Sequence, residues 1–227
     1  MANSNHLTLL SYSRENWQKW RRENPDIVPD LTYSNLYQAN LSHLDLSGVN
    51  FSGANLYQAN LAGSNLSRAE LTNTNLRDAK LTNAILSEAN LMGTDLRDAD
   101  LNYADLHQAN LISANLRQAQ LREADLSQTQ LIRANLSSAN LIQANLIQAN
   151  LHQANLHQAE LIRAYLYQAI LTEANLSEAH LGGAYLFNVQ LNGANLEGTD
   201  LRWANLTRTD LSQVNLDKAK LKIKEIV

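Results

Sequence analysis

Residues 139–161 read ANLIQANLIQANLHQANLHQAEL, a unit of five repeated with little change. Its leucines, Leu141, Leu146, Leu151, Leu156 and Leu161, belong to a longer series. From Leu31 to Leu221 every fifth residue is Leu, with Phe51 the one substitution, over 39 positions without a slip of register. Two residues before each stands a residue that is usually small, Ala in 27 of the 39, and between the two lies Asn or Asp, again in 27.

A period of five suits neither regular element. On an α-helix five residues advance by about 500°, so successive leucines would spiral around the axis and leave no apolar stripe. On a straight strand a spacing of five sends alternate leucines to opposite faces. The conflict disappears if the chain turns a corner in every pentad and each Leu returns to a common interior. The small residue two places earlier then points inward as well, and the other three face water, where Asn, Asp, Gln, Ser, Arg and Glu collect. Stacked coils would pair their backbone groups at about 4.8 Å, since one pentad alone cannot satisfy them.

Composition agrees with a soluble chain that has a core: 44% of the 227 residues are hydrophobic, and the net charge is −4 with both signs dispersed. That balance indicates neither a basic nucleic-acid-binding face nor a strongly acidic body. There is no cysteine, so disulfides and thiol chemistry are excluded. The opening MANSNHLTLLSYSRENW lacks a basic start followed by a long apolar run, and no run of about 18 apolar residues exists. The expectation is a cytoplasmic protein without a membrane span.

Pentads such as Ala54-Asn55-Leu56-Tyr57-Gln58 and Ala144-Asn145-Leu146-Ile147-Gln148 resemble the pentapeptide-repeat family. The resemblance implies an all-β fold: a right-handed quadrilateral parallel β-helix with four pentads, hence 20 residues, per coil. Here that means about ten coils, on the order of 45 Å of rod. The implied organisation is an N-terminal helical cap at 1–28, the repeats at 29–223 and a tail at 224–227. Outward residues also recur at 20: Arg77, Arg97 and Arg117; Asp78 and Asp98; Tyr37 and Tyr57; Tyr165 and Tyr185; Tyr167 and Phe187. One side carries Asn or Asp throughout, from Asn35, Asn55 and Asn75 to Asn195 and Asn215.

The ends depart from the pattern. Ser13 can cap a helix from Arg14 to about Asn24, ended by Pro25, with Trp17 and Trp20 on one face and Leu10 beside them. These three are expected to plug the first coil. At the other end Lys218, Lys220, Lys222 and Lys224 alternate with Ala219, Leu221 and Ile223, and such charge discourages edge-to-edge growth. The chain is expected to be a monomer, or a homodimer through this C-terminal coil.

Catalysis needs unlike groups converging in a cleft, and flat repetitive sides do not supply them. His152 and His157 fall on adjacent sides and would point apart, so no metal site is expected there. No Gly-rich phosphate loop or nucleophile elbow is present, and no cofactor is implied. The chain is expected not to be an enzyme. Some members of the family it resembles mimic DNA and act on a type II topoisomerase (gyrase), which requires a sustained acidic surface. Asp78, Asp95, Asp98, Asp100 and Asp105 form the densest acidic region, but Arg77, Arg97 and Arg117 run beside it. The quinolone-protecting branch also projects loops that interrupt the pentads, and these repeats have none. The Thr32, Ser52, Thr72 column that ice binding would extend passes instead to Met92, Ile112 and Ile132.

The informative positions carry large apolar residues where polar ones belong. Mapped at 20 residues per coil, Ile147, Tyr165, Tyr167, Tyr185 and Phe187 share one side across three coils, with Ile142 and Ile162 near the adjoining corner. The competing expectations are strand-stabilising stacking and a docking patch for a protein partner. The leading expectation is a non-catalytic, rigid interaction module, with the gyrase-directed DNA mimic as alternative.

Overall fold

The computed structural model describes residues 2–222. Two short helices lead: α1 (Ser4–Tyr12), capped by the Asn3 side chain on the Asn5 and His6 amides, and α2 (Arg14–Glu23), capped by Ser13 on the Asn16 amide. The expected helix is α2, one residue shorter than anticipated. Within the helical stretch expected at residues 1–28, α1 is a second helix, separate from α2. Among the described residues no helix is long and apolar enough to cross a membrane.

From Asp30 to Lys220 the chain is a stack of 20-residue coils, joined by parallel bridges such as Asp30↔Asn50, Asn145↔Tyr165, Tyr165↔Tyr185 and Asp200↔Lys220. Pairing is by single residues, one per pentad, rather than by the continuous strands that an all-β description suggests. The physical reason lies in the pentad's hydrogen bonds. In residues 144–148 the Ala144 amide closes a turn onto Leu141 O (3.0 Å), Asn145 N donates to Ala124 O (2.9 Å), and Leu146 N and Gln148 N donate to Tyr165 O (2.7 Å) and Tyr167 O (2.9 Å). The remaining amide, Ile147 N, donates to the Asn145 side chain at 3.1 Å. All five donors are satisfied, and turns consume most of each pentad.

This arrangement gives Asn and Asp their place before the Leu. The side-chain oxygen takes the one amide that the ladder and the turn leave over, as in Asn50 with Ser52 (3.0 Å) and Asp125 with Ser127 (2.9 Å). The amide nitrogen then reaches back one coil, as in Asn75 to Asn55 (3.1 Å) and Asn175 to Asn155 (3.2 Å). The residue two after the Leu adopts a left-handed conformation, with φ of 59° at Gln143, 58° at Gln148 and 67° at Gly183. Val, Ile and Thr are absent from that position between residues 33 and 218, as expected where β-branched side chains are strained. They occur instead directly after the Leu, at Ile112, Ile132, Ile142, Ile147 and Ile162.

The interior is a column of fully buried Leu and Ala, among them Leu56, Ala59, Leu146 and Ala149. Hydroxyls in the small-residue position donate to Leu or Phe carbonyls, as in Ser64 to Leu61 O (2.7 Å) and Thr74 to Phe51 O (2.9 Å), so they are buried without an unmet bond. Trp17 is fully buried over the first coil and its Nε1 donates to Asp45 O at 2.7 Å. Trp20 stacks obliquely on Trp17, 5.8 Å between centroids, and Leu10 packs partly buried against the core.

Burial fades at the C-terminal end: Leu206, Leu211, Val214 and Leu216 are only partly buried and Leu221 is exposed. Gly193 N reaches Gln213 O (3.2 Å), one residue later than the rule elsewhere. Lys218 bonds Glu197 (3.1 Å), and Lys222 lies over the Trp203 ring, 4.6 Å from its centroid. Ile223, Lys224 and the tail at 224–227 lie outside the described residues.

Candidate interaction surface

The bridge Tyr165↔Tyr185 continues the column from Asn145, and the ladder bonds Gln148 N to Tyr167 O and Gln168 N to Phe187 O align Ile147, Tyr167 and Phe187 beside it. The five residues therefore share one side over three coils. Tyr165 and Tyr185 stack at 5.0 Å with planes 3° apart, and Tyr167 and Phe187 at 5.2 Å and 6°. Arg208 extends the second stack, its guanidinium 5.4 Å from the Phe187 centroid. Tyr165, Tyr167 and Tyr185 remain 42%, 40% and 47% exposed, so stacking leaves much of each ring in water. A row of carboxamides borders them, Gln128 to Gln148 (3.3 Å) and Gln148 to Gln168 (3.0 Å).

Ile142 and Ile162 form a column on the preceding side, joined through Gln143 N to Ile162 O (3.0 Å). Ile162 opens onto a depression of about 300 Å³ shared with His180, Gly182, Arg202 and Trp203. Sequence reasoning passed over Trp203, which is 56% exposed. The available signal was a Trp in a position where Gln and Gly are the commonest residues.

Placing Tyr at 165 and 185 has a local cost. Neither offers a carboxamide or carboxylate to the amide two residues on, so Tyr167 N and Phe187 N forgo the cap that Asn145 gives Ile147 N. Ring stacking, worth about 0.5–1.5 kcal/mol per pair, offsets a loss of similar size.

Elsewhere several charged side chains pair with one another. Arg97 chelates Asp95 (2.8 and 2.6 Å), Arg77 lies within 3.9 Å of Asp78 and 3.8 Å of Asp98, and Arg68 bonds Glu88 (3.0 Å). The Arg97 guanidinium holds the Asp95 carboxyl below the usual carboxylate range. The acidic column is thus interleaved with cations instead of forming a continuous stripe. His152 and His157 each reach along their own column, Nδ1 to Thr172 Oγ1 (2.8 Å) and to Ser177 Oγ (2.9 Å).

The profile of the family described as pentapeptide repeats matches residues 30–61, 50–88, 89–128, 129–166, 149–186 and 184–222. Among solved structures, the chain is 32% identical to HetL, a pentapeptide repeat protein involved in heterocyst differentiation regulation from the cyanobacterium Nostoc sp. strain PCC 7120. The match covers 88% of this chain and 92% of that one, with a TM-score of 0.35. It is 21% identical to QnrB1, a plasmid-mediated fluoroquinolone resistance protein, over 83% of this chain and 91% of that one, with a TM-score of 0.39. With Rfr23, a pentapeptide repeat protein from the cyanobacterium Cyanothece 51142, identity is 23% over 72% of this chain and 87% of that one, with a TM-score of 0.21. None of the curated proteins compared with the chain matches it significantly.

Proposed function

We propose, from the premise that the chain belongs to the pentapeptide-repeat family, that it is a non-catalytic interaction module that docks a protein partner on the side bearing Tyr165, Tyr167, Tyr185 and Phe187. On this reading the coils form a right-handed, four-sided β-helix of about ten turns, working in the cytoplasm as a rigid rod. The observation that carries the proposal is the pair of exposed ring stacks in two columns, set where polar residues prevail and where the local amide cap is given up for them. Contiguous exposed aromatic surface with a polar border is the chemistry of protein docking sites. Rigid aromatic side chains bind at little entropic cost, and the rod fixes their spacing. Ile142, Ile147 and Ile162 enlarge the apolar area.

Affinity capture from the native host with the wild-type chain and with Tyr167→Asp/Phe187→Asp tests this. A partner retained by the first and lost by the second, with unchanged circular dichroism, supports the patch. Equal capture by both contradicts it. The chain is proposed as a monomer, or as a homodimer through the C-terminal coil, where Leu216 is half-buried and Leu221 exposed. Light scattering on the full chain and on one ending at Asp210 separates a dimer through that coil from a monomer.

A further inference from the structure

The N-terminal cap satisfies the exposed edge of the first coil unevenly. At Asp30 both backbone groups are met, O by Asn3 N (3.0 Å) and N by His6 Nδ1 (3.0 Å). His43 O accepts from Arg14 (3.0 Å), Asp45 O from Trp17 (2.7 Å) and Ser47 O from Arg21 (2.7 Å). At Asn35 neither the N–H nor the C=O has a partner among the described residues, and its Nδ2 is likewise unbonded. The core behind is uncovered too: Leu36 and Ala39 are only partly buried, whereas Leu56 and Ala59, their counterparts one coil on, are fully buried. A groove of about 430 Å³ runs there between α1 and the coil, with Leu7, Leu10, Leu36 and Ala39 as its apolar lining and Asn35 and Asn40 at its polar margin. That volume falls within the range of about 300–1,000 Å³ typical of ligand sites.

The missing partner can be read from the next coil. Asn55 N donates to Ser34 O (2.8 Å), Asn55 O accepts from Leu36 N (2.8 Å), and Asn55 Nδ2 donates to Asn35 Oδ1 (3.0 Å). Shifted back one coil, Asn35 requires a carbonyl from a small residue, a side-chain oxygen from the next residue and an amide from the third. The first side chain would then stack on Ser34 and the third on Leu36, at the edge of the uncovered core. We propose that this edge receives an extended peptide segment of the form small residue, Asn or Asp, then Leu, added parallel to Asn35-Leu36. Main-chain bonds supply affinity, and the apolar groove and the Asn35 carboxamide supply selectivity. The cap bonds the coil edge at Asp30, His43, Asp45 and Ser47, Asn40 shares the unmet backbone of Asn35, and α1 roofs the groove, so a short segment fits where a whole coil of a second copy would not.

The test uses the full chain and a fluorescent peptide, acetyl-QANLIQ-amide, whose binding is followed by anisotropy. Two changes probe the geometry: N-methylation of the peptide Leu removes the amide that Asn35 O requires, and Asn35→Asp removes the Nδ2 donor while keeping the oxygen that Tyr37 N and Asn55 Nδ2 use. Saturable binding to the wild type is expected, weakened at least about tenfold by either change. Absence of binding overturns the proposal. Equal binding of both peptides overturns it. Full binding to a folded Asn35→Asp chain places the peptide on another edge and also overturns it, as does self-association of the chain that Asn35→Asp abolishes while the peptide fails to bind.

Discussion

Asn145 holds the Ile147 amide on its Oδ1 at 3.1 Å and donates from Nδ2 to Asp125 Oδ1 at 3.0 Å, so one side chain closes its own pentad and ties it to the coil before. Asn145→Ala removes both bonds. A loss of about 1–2 kcal/mol in denaturant unfolding is expected, whereas Asn145→Asp, which keeps the acceptor but faces Asp125, should restore little of it at neutral pH.

The left-handed position gives an opposite pair of outcomes. Gln148, at φ 58°, is expected to tolerate Gly with a change in stability of less than about 1 kcal/mol, because relief of strain offsets the freer unfolded chain. Gln148→Val should destabilise by roughly 1–3 kcal/mol, because a β-branched side chain is least suited to positive φ. Thermal unfolding of the two variants decides it, and equal melting temperatures would contradict the turn argument.

Trp17 combines packing with a bond. Trp17→Phe keeps most of the ring but leaves Asp45 O without its donor, at a cost of about 1–2 kcal/mol. Trp17→Ala opens the end of the core and should cost about 3–5 kcal/mol. Because each coil contacts only its neighbours, hydrogen exchange in the Trp17→Ala chain should rise first in the N-terminal coils.

Asp200 supplies the pH dependence. Its carboxylate accepts from Arg202 Nη2 (2.6 Å) and Nε (2.9 Å), and from the Arg202 amide (3.1 Å), which hold its pKa at about 2 against an ordinary 3.8. A carboxyl depressed in the folded state stabilises it above the unfolded value, and that stabilisation fades as pH falls from about 4 towards 2. Arg202 is half exposed, so the contribution after screening is on the order of 1 kcal/mol. Asp200→Asn should therefore lower stability at pH 7 and do so much less near pH 2, measured by thermal unfolding at both.

Much of this was legible in the residues because burial leaves a periodic mark. The Leu and Ala columns, the Tyr165 and Tyr185 alignment and the plug at Trp17 all follow from spacing and from side chains that exclude water. What escaped depends on hydrogen-bond geometry, which spacing alone does not specify. The role of Asn145 becomes visible only when the ladder and the turn together are seen to use four of five amides. The left-handed turn had a trace in the sequence, the absence of Val, Ile and Thr at that position. The unmet edge at Asn35 had none, because it depends on how α1 and α2 lie across the first coil. Trp203 was missed because a single aromatic in an outward position makes no column.

The most direct measurement is the dissociation constant of the captured partner for the wild type, Tyr167→Asp and Tyr57→Asp. Tyr57 also stacks on a neighbouring ring, Tyr37 at 5.6 Å, but stands on another side of the rod. Tyr167→Asp is expected to weaken binding by at least about 2 kcal/mol, the size of an interface hot spot, while Tyr57→Asp leaves it unchanged. Equal affinity for all three proteins would contradict it.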